Sequence, residues 1–201
     1  MKRNTLAAAL GLSLLASASA VAGNIADFTT PTVDFSNNNN WTLGFEFHVN
    51  SPITITGLSI YDDRKDGLAT THDAGLWTSG GTLLASTVIP AGTAAPLVGW
   101  FRVQSISAVT LGVGDYVVGA RTEFENYTWN PIGFSTIPQV TFLVDKFSIG
   151  GGLNFPTSSS GLVGFFGGNA STGVTVPDNG NTVALLGASV LGLAALRRKL
   201  A

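Results

Sequence analysis

Residues Trp41 to Val49 read WTLGFEFHV, and every second side chain is large and apolar. Trp41, Leu43, Phe45, Phe47 and Val49 share one face, with Thr42, Gly44, Glu46 and His48 on the other. A repeat of two fits an extended strand with one face buried, because a helix of 3.6 residues per turn would scatter these side chains around its circumference. Asn50-Ser51-Pro52 then makes a turn, and Ile53 to Tyr61 resumes the alternation, with a change of phase at Gly57 that predicts a bulge.

No window between residues 23 and 175 keeps a helical period. Short strands are instead predicted at Ala74 to Thr78, Thr82 to Ile89, Val98 to Ser105, Asp115 to Thr122, Val140 to Val144 and Leu162 to Phe166. The breaks between them, such as Ser79-Gly80-Gly81, Pro90-Ala91-Gly92 and Gly112-Val113-Gly114, are turn chemistry. Many short strands without helices predict an all-β domain over residues 23–166, a β-sandwich of jelly-roll type. The small residues of 167–175 are expected to form a linker.

Composition narrows the function. Only 11% of the 201 residues are charged and 45% are hydrophobic, which excludes a disordered, charge-solvated chain. With no Cys, neither disulfides nor thiolate metal sites are possible. Between Gly23 and Val176 the basic residues are Arg64, Lys65, Arg102, Arg121 and Lys146, five against eleven acidic ones, a net −6. An acidic body is unsuited to nucleic acid, whose phosphates need clustered Lys and Arg.

The ends carry a different message. Lys2 and Arg3, then the apolar run Leu6 to Leu15, then Ala18-Ser19-Ala20 or Ala20-Val21-Ala22 have the order of a secretory signal over residues 1–22, a substrate of signal peptidase. At the other end, Val176-Pro177-Asp178-Asn179-Gly180 precedes the apolar segment Thr182 to Leu196 and the basic cluster Arg197-Arg198-Lys199. As a helix that segment would be about 22 Å long, short of a bilayer core of roughly 30 Å, so it spans only with help from its ends. The basic cluster would hold the C-terminus on the cytoplasmic side.

This order of motif, apolar helix and basic cluster over residues 176–201 resembles the PEP-CTERM class of bacterial sorting tails. It is most similar to the VPDSG-CTERM variant, with Asn179 where that variant has Ser. The resemblance implies a Gram-negative-type host, export across the inner membrane, transient anchoring through the helix, and cleavage near Pro177 to Gly180 by an exosortase-type enzyme. It also implies a secreted or cell-surface destination amid extracellular polysaccharide. The pattern "YDD…DGL…H.AGLW" followed by "G.LLAS", over roughly Trp41 to Tyr127, is similar to an uncharacterised extracellular domain frequent in such proteins; no enzymatic activity comes with it.

Within the body, Asp62, Asp63, Asp66 and Asp73 form the densest carboxylate group and are candidate hard oxygen ligands for calcium, with Gly67 turning the chain. Arg64 and Lys65 interrupt them, and a solvated turn is the competing expectation. His72 is expected to be a loop residue bonded to backbone, and His48 lies on a polar strand face. Glu123 and Glu125, two apart on one strand face, would be separated by about 6.6 to 6.8 Å, near the spacing of an inverting glycosidase. Asn126, Tyr127 and Trp129 interleave amide and aromatic groups as a carbohydrate platform would, or else cover the core edge. The expected function is a noncatalytic secreted protein with a structural or adhesive role in extracellular polysaccharide and no resident cofactor. A carbohydrate-binding module is the alternative, and a glycan hydrolase the weakest one.

Overall fold

Phe45, Phe47 and Val49 are fully buried, whereas Glu46 and His48 between them are not, so the two-residue repeat places one strand face in the core. A computed structural model describes residues 23–32, 35–36, 40–161 and 163–173, and these contain strands and turns without a helix. In chain order the first strands are β1 (Gly23–Asn24), β2 (Ala26–Asp27), β3 (Phe35–Ser36), β4 (Thr42–Val49), β5 (Ile53–Tyr61), β6 (His72–Thr78), β7 (Leu83–Ile89) and β8 (Leu97–Val98). There follow β9 (Phe101–Leu111), β10 (Gly114–Arg121), β11 (Asn126–Trp129), β12 (Ser135–Thr136), β13 (Val140–Ser148), β14 (Gly164–Phe166) and β15 (Gly168–Thr172).

Two five-stranded sheets, ordered β1-β15-β5-β9-β8 and β13-β4-β10-β6-β7, pack against each other, with small sheets β14-β11-β3 and β12-β2 beside them. Without the outer strands β8 and β13, the remaining eight, counted along the chain, run 1-8-3-6 in one sheet and 2-7-4-5 in the other. That is the order of a jelly roll, as the sequence predicts. Ile55, Leu58 and Ile60 of one sheet and Phe45, Phe47 and Leu76 of the other are fully buried in a single core. Phe166 joins them, its ring 5.8 Å from that of Phe45, 5.5 Å from Phe28 and 5.1 Å from Phe134. The predicted bulge is present: the β5–β9 register shifts between Ile55 and Gly57.

Several strands outrun their predicted limits. The polar, small-residue stretch after Ser105 continues as strand to Leu111, because β5 remains its partner past the bulge. β13 continues through Asp145 and Lys146 to Ser148, since Lys146 finds Glu46 of β4 at 3.0 Å and Asp145 accepts the Ser160 N–H and hydroxyl, both at 2.9 Å.

The expected linker over residues 167–175 is the main correction. Residues 168–172 form β15, in the interior of the first sheet between β1 and β5. Their small side chains serve close packing: a Cβ on Gly168 would lie 2.3 Å from the Ala120 nitrogen. The buried Asn169 and Ser171 are satisfied by the Ala26 carbonyl at 2.6 Å and the Asn24 side chain at 2.8 Å. The body therefore extends to Thr172, and only three residues separate it from Val176. The secretory segment 1–22 and the tail 176–201 lie outside the described residues. Among those described, no helix is long and apolar enough to cross a membrane.

Candidate functional site

Directly after β5 the chain enters a loop whose shape is set by one buried ion pair. Asp62 Oδ2 accepts Arg102 Nε–H at 2.7 Å and the Gly67 N–H at 3.1 Å. Arg102, on β9, spends its remaining donors on the carbonyls of Ala95 (3.2 Å) and Lys65 (3.0 Å), so a single guanidinium staples three segments. Reversal needs Lys65 at φ 60° and Gly67 at φ 110°. Leu68 and Gly92 then exchange backbone hydrogen bonds, and the Lys65 ammonium lies 3.8 Å from the Trp100 ring centre. Near this flank, burial pushes the Asp27 carboxyl up from the usual range, against the opposing pull of the Phe28 N–H and Lys65.

This construction separates the four predicted aspartates. Asp62 is buried against Arg102, Asp63 accepts the Asn126 amide at 2.7 Å, Asp66 is exposed on the rim, and Asp73 lies on β6 with Arg121 3.9 Å away. Among the described residues no three His, Asp or Glu are placed to hold a metal ion.

The second wall is a turn. The Glu125 N–H bonds the Thr122 carbonyl at 2.8 Å with Glu123 at φ 48°, so Glu123 and Glu125 lie in a turn and do not share a strand face as predicted. A positive φ at glutamate costs energy unless its surroundings hold it. Arg121 at 2.7 Å and the Thr70 hydroxyl at 3.0 Å both grip the Glu123 carboxylate. Glu125 accepts the Ala69 N–H, tying turn to loop, and its Oε1 is 3.5 Å from His72 Nε2. His72 begins β6, fully buried, with Nδ1 2.8 Å from the Arg121 carbonyl. A carbonyl only accepts, so Nδ1 carries the proton. The backbone bond expected of His72 is present, although on a strand. His48 pairs across β4–β10 with Asp115 at 2.6 Å.

Between loop and turn opens a cleft of about 390 Å³, walled by Asp63, Arg64, Asp66, Phe124, Glu125 and Asn126. Phe124, at the tip of the turn, is 64% exposed. Strand alternation places Tyr127 and Trp129 on the face of β11 opposite Asn126, so of the predicted carbohydrate residues only Asn126 lines the cleft. Burial raises the Tyr127 phenol pKa. In the sequence Phe124 is an apolar ring between two glutamates, read there as strand, and nothing local brings residues 63 and 124 together.

Comparison with known families gives two matches. Residues 175–200 match the VPDSG-CTERM motif, which marks the chain as a secreted, cell-surface protein processed by an exosortase-type enzyme. Residues 28–167 match the family described as a domain of unknown function, DUF4082. No curated protein and no solved structure matches the chain. The second match spans more than half of the sequence and nearly all of the sandwich, cleft included, so the chain belongs to the DUF4082 family.

Proposed function

We propose that the protein is a noncatalytic adhesive component of extracellular polysaccharide, and that it holds sugar chains in the cleft between residues 62–69 and 122–126. One observation carries this reading: an aromatic ring left largely in solvent stands over an open cleft whose polar side chains are amide, carboxylate and guanidinium. A pyranose offers an apolar C–H face for such a ring and hydroxyls for such polar groups. Apart from Asp66 on the rim, the carboxylates near the cleft are already engaged, by Asn126 on Asp63, by Arg121 and Thr70 on Glu123, and by Ala69 on Glu125, which suits orientation of hydroxyls more than proton transfer. The sorting tail supplies the setting, since it delivers the body to the cell surface.

Titration calorimetry and affinity electrophoresis against the exopolysaccharide of the producing cell test it. Phe124→Ala should weaken retention roughly 3- to 10-fold, the loss of one ring contact, and Asn126→Ala should act in the same direction. Tyr127→Ala, on the opposite face, should leave retention unchanged. Loss with Tyr127→Ala and none with Phe124→Ala would move the site to the far side of β11; release of reducing ends during incubation would refute the noncatalytic reading.

A further inference from the structure

A sheet edge offers unpaired N–H and C=O groups to any other strand, and soluble proteins blunt such edges with brevity, charge, proline or a covering loop. Three of the four outer strands of the sandwich follow that rule. β1 and β8 have two residues each. β13 carries Asp145 and Lys146 and is bridged by Ser158 at Phe147. β7 does not: its seven residues, LLASTVI, include no charge, proline or glycine, and Leu83 and Val88 are 51% and 57% exposed. Beside it, among the described residues, the outer side of β9 is paired by β8 only at Phe101 and Arg102. Leu84 to Thr87 and Ser105 to Val109 therefore border an open slot of about 310 Å³.

The charge map singles out the same face. Between Asp73 and Asp115 the only charged residue is Arg102, and it is buried against Asp62. β7 itself is uncharged, and Asp73, opposite Val88 on β6, has Arg121 3.9 Å away. Two copies of a body with five basic and eleven acidic residues carry like net charge, and an uncharged strand edge is where that repulsion least opposes contact.

We propose that this face joins two copies of the chain, β7 pairing antiparallel with β7 of the second copy about a two-fold axis at Ser86. The contact is isologous, so it closes at two copies. It merges two five-stranded sheets into one, satisfies both open edges, and sets Leu84 of each copy against Val88 of the other. Dimerisation doubles the number of clefts presented to a polymer, which raises avidity without new contacts to sugar. The pairing itself does not depend on the cleft binding sugar.

Sedimentation velocity on the secreted protein, over roughly a hundredfold range of concentration, reads the mass. A shift from monomer to twice that mass is expected, and Val88→Lys should abolish it while Val113→Lys, on the β9–β10 hairpin, should not. A second measurement is independent of that variant's folding. The chain has no cysteine, and facing residues in an antiparallel pair have Cα atoms about 4.5 to 5.5 Å apart, within disulfide reach. Ser86→Cys should therefore oxidise to a covalent dimer, and Val113→Cys should stay monomeric under the same conditions. A monomeric mass at every concentration overturns the proposal, as does a dimer that Ser86→Cys fails to lock and Val88→Lys fails to dissociate.

Discussion

Arg102 determines more of the site than any residue inside it. It lies 40 positions from Asp62, is buried with it, and reaches Ala95 and Lys65 as well, so the shape of residues 62–67 depends on one side chain from another strand. Replacing it with an apolar side chain leaves Asp62 buried and uncompensated. Arg102→Met is therefore expected to lower unfolding free energy by about 3–5 kcal/mol, measured by urea denaturation, and to weaken polysaccharide retention because the Asp63 wall loses its support. The double variant Arg102→Met/Asp62→Leu should recover most of the stability, since a removed pair costs less than a broken one. An Arg102→Met chain as stable as the parent would show that the pair does not organise the loop. The aspartate cluster was visible in the sequence as a run of like residues; that one member was committed to a distant arginine was not.

At the scale of elements, β15 matters most, because composition misrepresents it. GNAST has the small polar character of a linker, and in the interior of a sheet the same character permits close approach of Gly168 to Ala120 and internal satisfaction of Asn169 and Ser171. Among the described residues, β1 has no partner strand except β15. A chain ending at Gly167 should therefore show no cooperative thermal transition by circular dichroism, its loss exceeding the 5–15 kcal/mol that holds a typical domain. A chain ending at Gly173 should melt within a few degrees of the secreted protein. A cooperative transition for the shorter chain would make β15 dispensable and restore the linker interpretation.

The direction of β15 orients the whole molecule. Gly168 pairs with Ile60, next to the 62–69 loop, whereas Thr172 pairs with Gly23 past the level of Gly57. The chain thus enters at Gly23 and leaves at Thr172 side by side, one residue past the level of Gly57 and running toward the pole opposite the cleft. With Val176 only three residues beyond the last strand, a tail held in a membrane keeps that pole close to the surface, at most about 3.6 Å farther per intervening residue. Such anchoring would turn the cleft away from the membrane. Maleimide labelling should report this: Asp66→Cys, on the cleft rim, should react equally fast in membrane-held and released protein. Val113→Cys, on the hairpin at the exit pole where Leu111 pairs with Ile53, should react several-fold more slowly while membrane-held. Equal rates at both positions would remove the assigned orientation.

The all-β class, the irregularity at Gly57, the jelly-roll type and the sorting tail are all readable in the order of residues along the chain. These are written in nearest neighbours: alternation sets a strand face, Gly and Pro set turns, and a tail is recognised as linear order. Long-range packing assigns Asp62 to Arg102, puts Glu123 and Glu125 in a turn, brings Phe124 and Asn126 to one cleft with Asp63 while Tyr127 and Trp129 face away, and makes residues 168–172 complete a sheet. Each of these depends on groups from separate strands competing for the same few ångströms, and the winner is fixed by burial and hydrogen-bond satisfaction summed over the fold, quantities that no local window of sequence contains.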